Sequence, residues 1–385
     1  MAVTRDTCQF LAVVGIALCS LVGCDADKPE VNQELSQKLQ ALVDSMVDTV
    51  GDDPIYNAVL FVESPRIKWK GASGFADGKS EKMTPRHKIK IASIGKTLTA
   101  VVILQLMEDG YLTLDDKIDK YLDGPMVRLE HLHMYDGISH GHEITIRQLL
   151  SHTSGIADYM EDFRFIPDVL ANPHKRYNPA LILDKYYDYE TEMKAVAPPG
   201  ERFNYSDVNY VLLATIIERV TGTTLQDQYK SRIFDPLGME NSYLEYYEEP
   251  RGEERLSHAY FGSVDLVEDI NTSFDWGGGG IVSTCEELVL FFRALLDGGL
   301  FNNDSTLTLM LSAADQGIGG TDYDYGLGIM KRSIHGLTFY GHGGAYDCDV
   351  YYCPDRNVAV CLSLNQMNTH GKRDELLMRA VELAM

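Results

Sequence analysis

The stretch Ile91-Ala92-Ser93-Ile94-Gly95-Lys96 runs directly into an apolar segment: Leu98, Val101, Val102, Ile103, Leu104, Leu106 and Met107. These residues are too many for one narrow stripe, so the spacing predicts a helix buried on most sides. Asp109-Gly110 supplies its C-cap. A serine hydroxyl is a weak nucleophile at neutral pH and needs a base beside it. Ser93 and Lys96, three apart at a helix start, lie on one face one turn apart. The helix N-terminus adds a positive dipole near a developing oxyanion. For Lys96 to accept a proton its pKa has to fall, which partial burial would supply. Alone, the tetrapeptide is common, and an N-cap serine followed by a solvated lysine is spelled the same way.

Outward from this segment the chain divides into regions. Upstream, Leu35, Leu39, Leu42, Val43, Met46 and Val47 recur at helical spacing and predict a helix over about 31–50. Two strands follow over 56–63 and 67–75, broken at Ser64-Pro65 as in a hairpin. Residues 111–270 mix helices and long loops, with a helix over about 208–220 ending before Gly222. Ser283 with Glu286 fits a capping box, opening a helix that reaches about Leu296 and stops at Gly298-Gly299. Residues 327–364 read as strands, with turns at Gly343-Gly344 and at 354–357, and a helix closes the chain. The predicted class is α+β. One antiparallel sheet is made from both chain ends (about 37–110 and 271–385), flanked by helices, with an inserted, mainly helical region over about 111–270.

The N-terminal residues are of another kind. Arg5 gives a weak positive region, and the apolar stretch over about 10–22 is too short and lightly flanked for a membrane span. Leu21-Val22-Gly23-Cys24 resembles the lipobox of bacterial lipoproteins, in which the cysteine is lipidated and becomes the first residue. That resemblance implies a signal peptide over 1–23, a lipid anchor on Cys24, a tether over 24–36 and a folded domain over 37–385. It also implies an exported protein held on a bacterial membrane, facing the periplasm or the cell exterior. An ordinary cleaved signal peptide or an uncleaved anchor fits the same stretch. Cys285, Cys348, Cys353 and Cys361 remain in the body of the chain. Export permits disulfides, and four cysteines allow three complete pairings, among which the sequence does not choose. The net charge of −23 repels phosphate backbones and argues against a nucleic-acid partner.

Two later motifs give the Ser93–Lys96 pair its meaning. Tyr205-Ser206-Asp207 follows, and then His342-Gly343-Gly344. With these the chain resembles the serine β-lactamase-related family: class C β-lactamases, D-Ala-D-Ala carboxypeptidases, D-aminopeptidases and related esterases. That family orders its motifs as SxxK, YxN, then KTG or HxG. Residues 144–155, 199–210, 278–296 and 341–344 carry phrases typical of it, so the resemblance covers about 37–385. It implies a β-lactamase/transpeptidase-like fold and an acyl-enzyme mechanism without a cofactor or metal. By the same resemblance Ser93 is the nucleophile, Lys96 its base or base partner, and Tyr205 a proton shuttle. His342 helps bind or polarise substrate from the sheet edge. The N–H groups of Ser93 and Ala345 form the oxyanion hole, and Asp207, Gly343 and Gly344 contact a small-molecule or peptide substrate.

Two positions depart from the family pattern. Asp207 stands where Asn is usual; it either pairs with Lys96 and holds it protonated, or loses an amide contact to substrate. Cys348 stands near where a Gly-aromatic pair is common, at the expected substrate rim. The HxG third motif shifts the expectation from β-lactamase toward peptidase or esterase, acting on small acylated or D-amino-acid compounds. A non-catalytic lipoprotein that binds a ligand or partner in the same pocket is the alternative raised by Asp207. Gly137-Ile138-Ser139-His140-Gly141 spells a nucleophile elbow, but no strand precedes it and no helix follows at once, so Ser139 reads as a loop serine. His131, His133, His140 and His142 cluster without a metal-site spacing and read as a solvated loop. The Gly277–Gly280 run lacks the Lys-Ser/Thr of a phosphate loop.

Overall fold

The computed structural model describes residues 33–122, 124–312, 319–320 and 322–385. The expected signal peptide, the anchor Cys24 and most of the tether lie outside the described residues.

Seven strands form the main sheet. They are β1 (Asn57–Glu63), β2 (Lys68–Gly74), β3 (Asp324–Tyr325), β4 (Met330–Ile334), β5 (Leu337–Gly344), β6 (Cys348–Cys353) and β7 (Val358–Ser363). Their order is β3-β4-β5-β6-β7-β1-β2, and every neighbouring pair is antiparallel. Val59 lies opposite Ser363, so the two chain ends close into one sheet, as the sequence predicts.

Five helices position the sheet and the site: α1 (Gln33–Asp44), α2 (Gly95–Glu108), α3 (Asp207–Thr221), α4 (Cys285–Leu296) and α5 (Lys372–Ala384). Strand side chains alternate between faces. Ala58, Leu60 and Val62 meet Leu39 and Val43 of α1 and Leu377 and Val381 of α5 in one core. Val59 and Phe61 enter a second core with Leu288 and Phe292 of α4. That second core continues into α2, in which eleven of fourteen residues are buried. Each fully buried aliphatic side chain there contributes about 1.5–3 kcal/mol relative to exposure, which makes α2 the centre of the molecule.

The inserted region carries α3 and several shorter helices, with two small hairpins. A separate three-stranded sheet joins Ile89–Lys90, Ile281–Ser283 and Tyr243–Leu244. It ties the start of the Ser93 turn to the helical region, since the Ile91 N–H donates to the Ile281 carbonyl at 3.1 Å.

Several elements differ from the sequence expectation for identifiable reasons. Among the described residues helix α1 covers Gln33–Asp44 and stops short of the expected end, with Met46 buried in the core. The cap of α4 is Thr284, one residue after Ser283: Thr284 is extended and accepts from the Glu287 N–H at 3.2 Å. Ser283 is instead the end of a strand, with its hydroxyl against Ser242. Gly343 and Gly344 do not turn the chain; they end β5, and the turn follows at Ala345–Asp347. All four cysteines of the body are free and buried. Cys353 lies in the α1/α5 core, while Cys285, Cys348 and Cys361 lie in the other, so the sheet separates Cys353 from these three.

Thr284→Ala removes the cap of α4 and should lower stability by about 1 kcal/mol, read from the urea midpoint at unchanged slope; an unchanged midpoint would show that the cap contributes nothing.

Candidate active site

Ser93 sits in a short 3-10 turn, Ala92–Ile94, that feeds straight into α2. Ala92 holds φ at +45°, a left-handed conformation that costs a non-glycine residue energy and recurs at functional turns. This bend presents Ser93 at the surface while its neighbours Ala92 and Ile94 stay buried.

Lys96 is fully buried, and its three ammonium protons all have acceptors. Nζ donates to Ser93 Oγ at 2.9 Å, to Asp207 Oδ1 at 2.5 Å and to the Gly278 carbonyl at 2.9 Å. Burial opposes the charge, but Asp207 above all, with Tyr205, outweighs it, and the net effect holds Lys96 above its ordinary value. The expected downward shift is therefore reversed, because the neighbouring carboxylate exceeds the desolvation. The structure thereby chooses between the two readings of Asp207: it pairs with Lys96.

Asp207 is the first residue of α3, and a second acid fixes it there. The Asp207 N–H donates to Asp158 Oδ2 at 2.9 Å. Burial first, and then the Asp207 charge, push the Asp158 carboxyl well above the usual range, which favours its neutral form. Asp158 carries no sequence signal of its own beyond following Ser154-Gly155. Tyr205 interacts with both Ser93 and Lys96. Burial raises its phenol; Lys96 pulls it down and Asp207 up, for a net value of about 12. His152 stacks on the Tyr205 ring with centroids 4.2 Å apart and accepts from the Ser206 N–H at 3.1 Å.

His342 occupies a different place from the one the resemblance implies. Its ring is fully buried behind β5. Nδ1 donates to the Gly343 carbonyl at 2.7 Å, so Nε2 accepts from the Tyr325 hydroxyl at 3.0 Å. Burial pushes its pKa down to about 3, so the ring is neutral. Gly343, Gly344 and Ala345 line a cavity with Ser93, and the His342 ring lies behind Tyr205 with ring centroids 6.4 Å apart.

The glycines explain how closely the pieces approach. A Cβ on Gly344 would lie 2.4 Å from the Ile91 carbonyl, so β5 abuts the Ser93 turn only because Gly344 has none. Cys348 packs beneath it and donates to the Ile91 carbonyl at 3.3 Å, so it supports the turn from inside and does not form a substrate rim. Gly277, Gly278 and Gly279 lie in a one-turn helix, Trp276–Gly279, packed against this same centre. A Cβ on Gly278 would lie 2.9 Å from Asp207 Oδ1.

Ser93 and Ala345 line two cavities together. One, of about 190 Å³, is mostly apolar. The other, of about 320 Å³, is lined by polar and apolar groups alike and reaches Tyr205, Arg332 and Arg373. Among the described residues neither the Ser93 nor the Ala345 N–H donates to a backbone carbonyl, which leaves both free for a ligand oxygen.

The other candidates stand apart. Ser139 lies on a two-residue strand of a small hairpin, away from both cavities. His133 bonds to the Ala197 carbonyl, and His142 pairs with Asp119 and Glu130. Among the described residues no three His, Cys, Asp or Glu side chains converge as metal ligands.

Comparison with known proteins agrees with this geometry. The Beta-lactamase family model matches residues 31–385. The chain belongs to the β-lactamase family. It is a serine hydrolase of that family, on the β-lactamase/transpeptidase-like fold. It is 27% identical to penicillin-binding protein 4* of Bacillus subtilis, covering 90% of this chain and 76% of that one. It is 25% identical to a D-aminopeptidase of Cereibacter sphaeroides over 83% of this chain, and spans 58% of that protein's length. Among solved structures, a D-stereospecific amidohydrolase from Streptomyces superposes with a TM-score of 0.71 at 28% identity, covering 87% of this chain and 97% of that one.

Gly344→Ala places a methyl group against the Ile91 carbonyl and pushes Ala345 away from Ser93. Ester turnover should fall about 10²-fold or more in kcat, as for loss of one oxyanion donor, in a variant that folds but melts lower, since overpacking costs about 1–3 kcal/mol; unchanged kcat would remove Ala345 from the site.

Proposed function

We propose that this β-lactamase-family protein is an exported, lipid-anchored amidohydrolase that forms an acyl-enzyme on Ser93 and cleaves amide bonds of D-amino-acid compounds. The observation that carries it is the contact of Lys96 Nζ with Ser93 Oγ at 2.9 Å inside the Asp207 ion pair. The names of the D-aminopeptidase and D-stereospecific amidohydrolase relatives support the substrate class. Esters and β-lactams are weaker candidates for the same nucleophile.

The proton inventory constrains the mechanism. Lys96 is an ammonium and has no lone pair to offer, so it does not take the Ser93 proton. Tyr205 does. As Ser93 Oγ bonds to the substrate carbonyl carbon, its proton passes to the Tyr205 oxygen, and Tyr205 passes its own proton to the departing nitrogen. No free phenolate need accumulate, and the Lys96 charge stabilises the phenolate character that develops. The carbonyl oxygen becomes an oxyanion held by the Ser93 and Ala345 N–H groups. Water then attacks the acyl-enzyme with Tyr205 in the reverse role. Gly343 and Gly344 present the β5 edge to substrate, and neutral His342 stiffens that edge from behind.

The protonated Lys96 is the one feature that favours a binding-only role, and turnover separates the two readings. With detergent-purified full chain, hydrolysis of p-nitrophenyl butyrate and D-alanine p-nitroanilide should fall ~10³-fold or more in Ser93→Ala and stay unchanged in Ser139→Ala. Equal rates in wild type and Ser93→Ala would refute the proposal.

The anchor has its own test. Cys24→Ala should move the protein from the membrane fraction to the soluble exported fraction; a variant that stays membrane-bound would exclude lipidation at Cys24 as the anchor.

A further inference from the structure

Tyr205 has to hold its phenol oxygen beside Ser93 and Lys96, yet residues 202–206, which carry it, form neither helix nor strand. The bonds that flank Tyr205 come from residues 152–158. The Asn204 N–H donates to the His152 carbonyl at 2.8 Å, and the Ser206 N–H donates to His152 Nδ1 at 3.1 Å. Asn204 Nδ2 donates to the Ile156 carbonyl at 2.9 Å, and Ser206 Oγ to the Ala157 carbonyl at 3.1 Å. His152 thus takes the backbone N–H on each side of Tyr205. Its ring also stacks on the Tyr205 ring, with centroids 4.2 Å apart and planes at 29°.

The backbone of His152 is strained. It follows the short helix Ile146–Leu150, whose C-cap is Ser151. The His152 N–H donates to the Leu149 carbonyl at 3.3 Å, and the Thr153 N–H to the Gln148 carbonyl at 2.9 Å. That pair of bonds is a Schellman ending, in which the residue after the C-cap is left-handed and usually glycine. His152 takes that place with φ at +55°. A Cβ is penalised there, so glycine would be favoured unless the side chain has a task.

The ring chemistry shows the task. The Ser206 N–H can only donate, so Nδ1 is the nitrogen with the lone pair. Asn209 Nδ2 shares that lone pair at 3.0 Å, and Ser154 Oγ donates to Asn209 Oδ1 at 2.7 Å, which sets the orientation of the amide. Nε2 then carries the proton, and it is buried without a hydrogen-bond partner among the described residues. An unpaired buried donor is destabilising, and a phenylalanine would fill the same space without one. What a phenylalanine lacks is the Nδ1 acceptor. Burial first, and then the Lys96 charge, hold the ring well below its ordinary pKa, so the lone pair stays available. His152 lines neither cavity beside Ser93.

We propose that His152 is the positioning residue for Tyr205: its carbonyl, its Nδ1 and its ring face together set the place of the phenol that carries the proton between Ser93 and the leaving group. This rests on the acyl-enzyme reading above and extends it to a residue that touches neither Ser93 nor substrate.

A cycle of variants with Tyr205→Phe tests this, read as p-nitrophenyl butyrate turnover by the detergent-purified full chain. Tyr205→Phe should lower kcat about 10²-fold, as for loss of a proton carrier. His152→Phe keeps a ring and loses the acceptor. It should lower kcat about 10²-fold, as a misplacement of about 1 Å does, with KM within about threefold. His152→Asn keeps an acceptor and tolerates the left-handed backbone, so it should recover about tenfold of that loss. In the Tyr205→Phe background each His152 change should cost less than about threefold more, because the group it positions is gone.

Losses that multiply, to about 10⁴-fold in the Tyr205→Phe, His152→Phe double variant, would overturn the inference, since a merely structural role costs the same with or without the phenol. Unchanged kcat in folded His152→Phe, an asparagine that recovers nothing, or Tyr205→Phe as active as wild type would each do the same. Melting curves establish that each variant is folded, and the cycle runs with either His152 variant, so it stands if one of them misfolds. Loss of the acyl-enzyme reading would show instead as undiminished turnover in Ser93→Ala, a separate result.

Discussion

The buried Lys96 ammonium is the constraint on which the site depends. Removing a charge from water costs several kcal/mol unless every proton finds an acceptor. Here the three acceptors come from three distant segments: Ser93 on the central turn, Asp207 at the head of α3, and Gly278 in the glycine turn. Satisfying one side chain therefore docks the inserted helical region, α2 and the segment that leads into α4. Asp158 extends the arrangement by holding the Asp207 backbone, and its neutral form avoids a second negative charge beside the first.

The sheet meets this centre through an edge that carries no side chain. Gly344 lets β5 press on the Ile91 carbonyl, with Cys348 packed under the same carbonyl. The consequence is an asymmetric surround for Ser93. On one side lies a cavity of mixed polarity lined by Tyr205, Arg332 and Arg373. On the other lies the apolar cavity with Asp275 in its wall. Ser93, the Ala345 N–H and both cavities are arranged by backbone positions, while His342 and Cys348 are buried.

The alternative nucleophile shows why order and context outweigh a short motif. Gly137–Gly141 matches a nucleophile elbow letter for letter, yet Ser139 sits on a two-residue strand in the insertion. The strained turn that such chemistry needs is at Ala92, where no glycine marks it. Likewise Gly343-Gly344 looks like a turn and is a close strand contact, because a glycine lacking Cβ serves either purpose and the sequence does not say which.

The sequence by itself determined the α+β class, the closing of the sheet from both chain ends, the central buried helix and the Ser93, Lys96, Tyr205 and Asp207 set. Those features are local: they follow from apolar periodicity, caps and motif order along the chain. Only the tertiary structure decided that Lys96 pairs with Asp207, that His342 is buried, that Asp158 steadies Asp207, and that Asp275 lies in the cavity wall. Each of these depends on which groups distant in the chain are brought within hydrogen-bond reach, or out of reach of water. Charge state is set by that surround, and a linear pattern of residue types does not contain it.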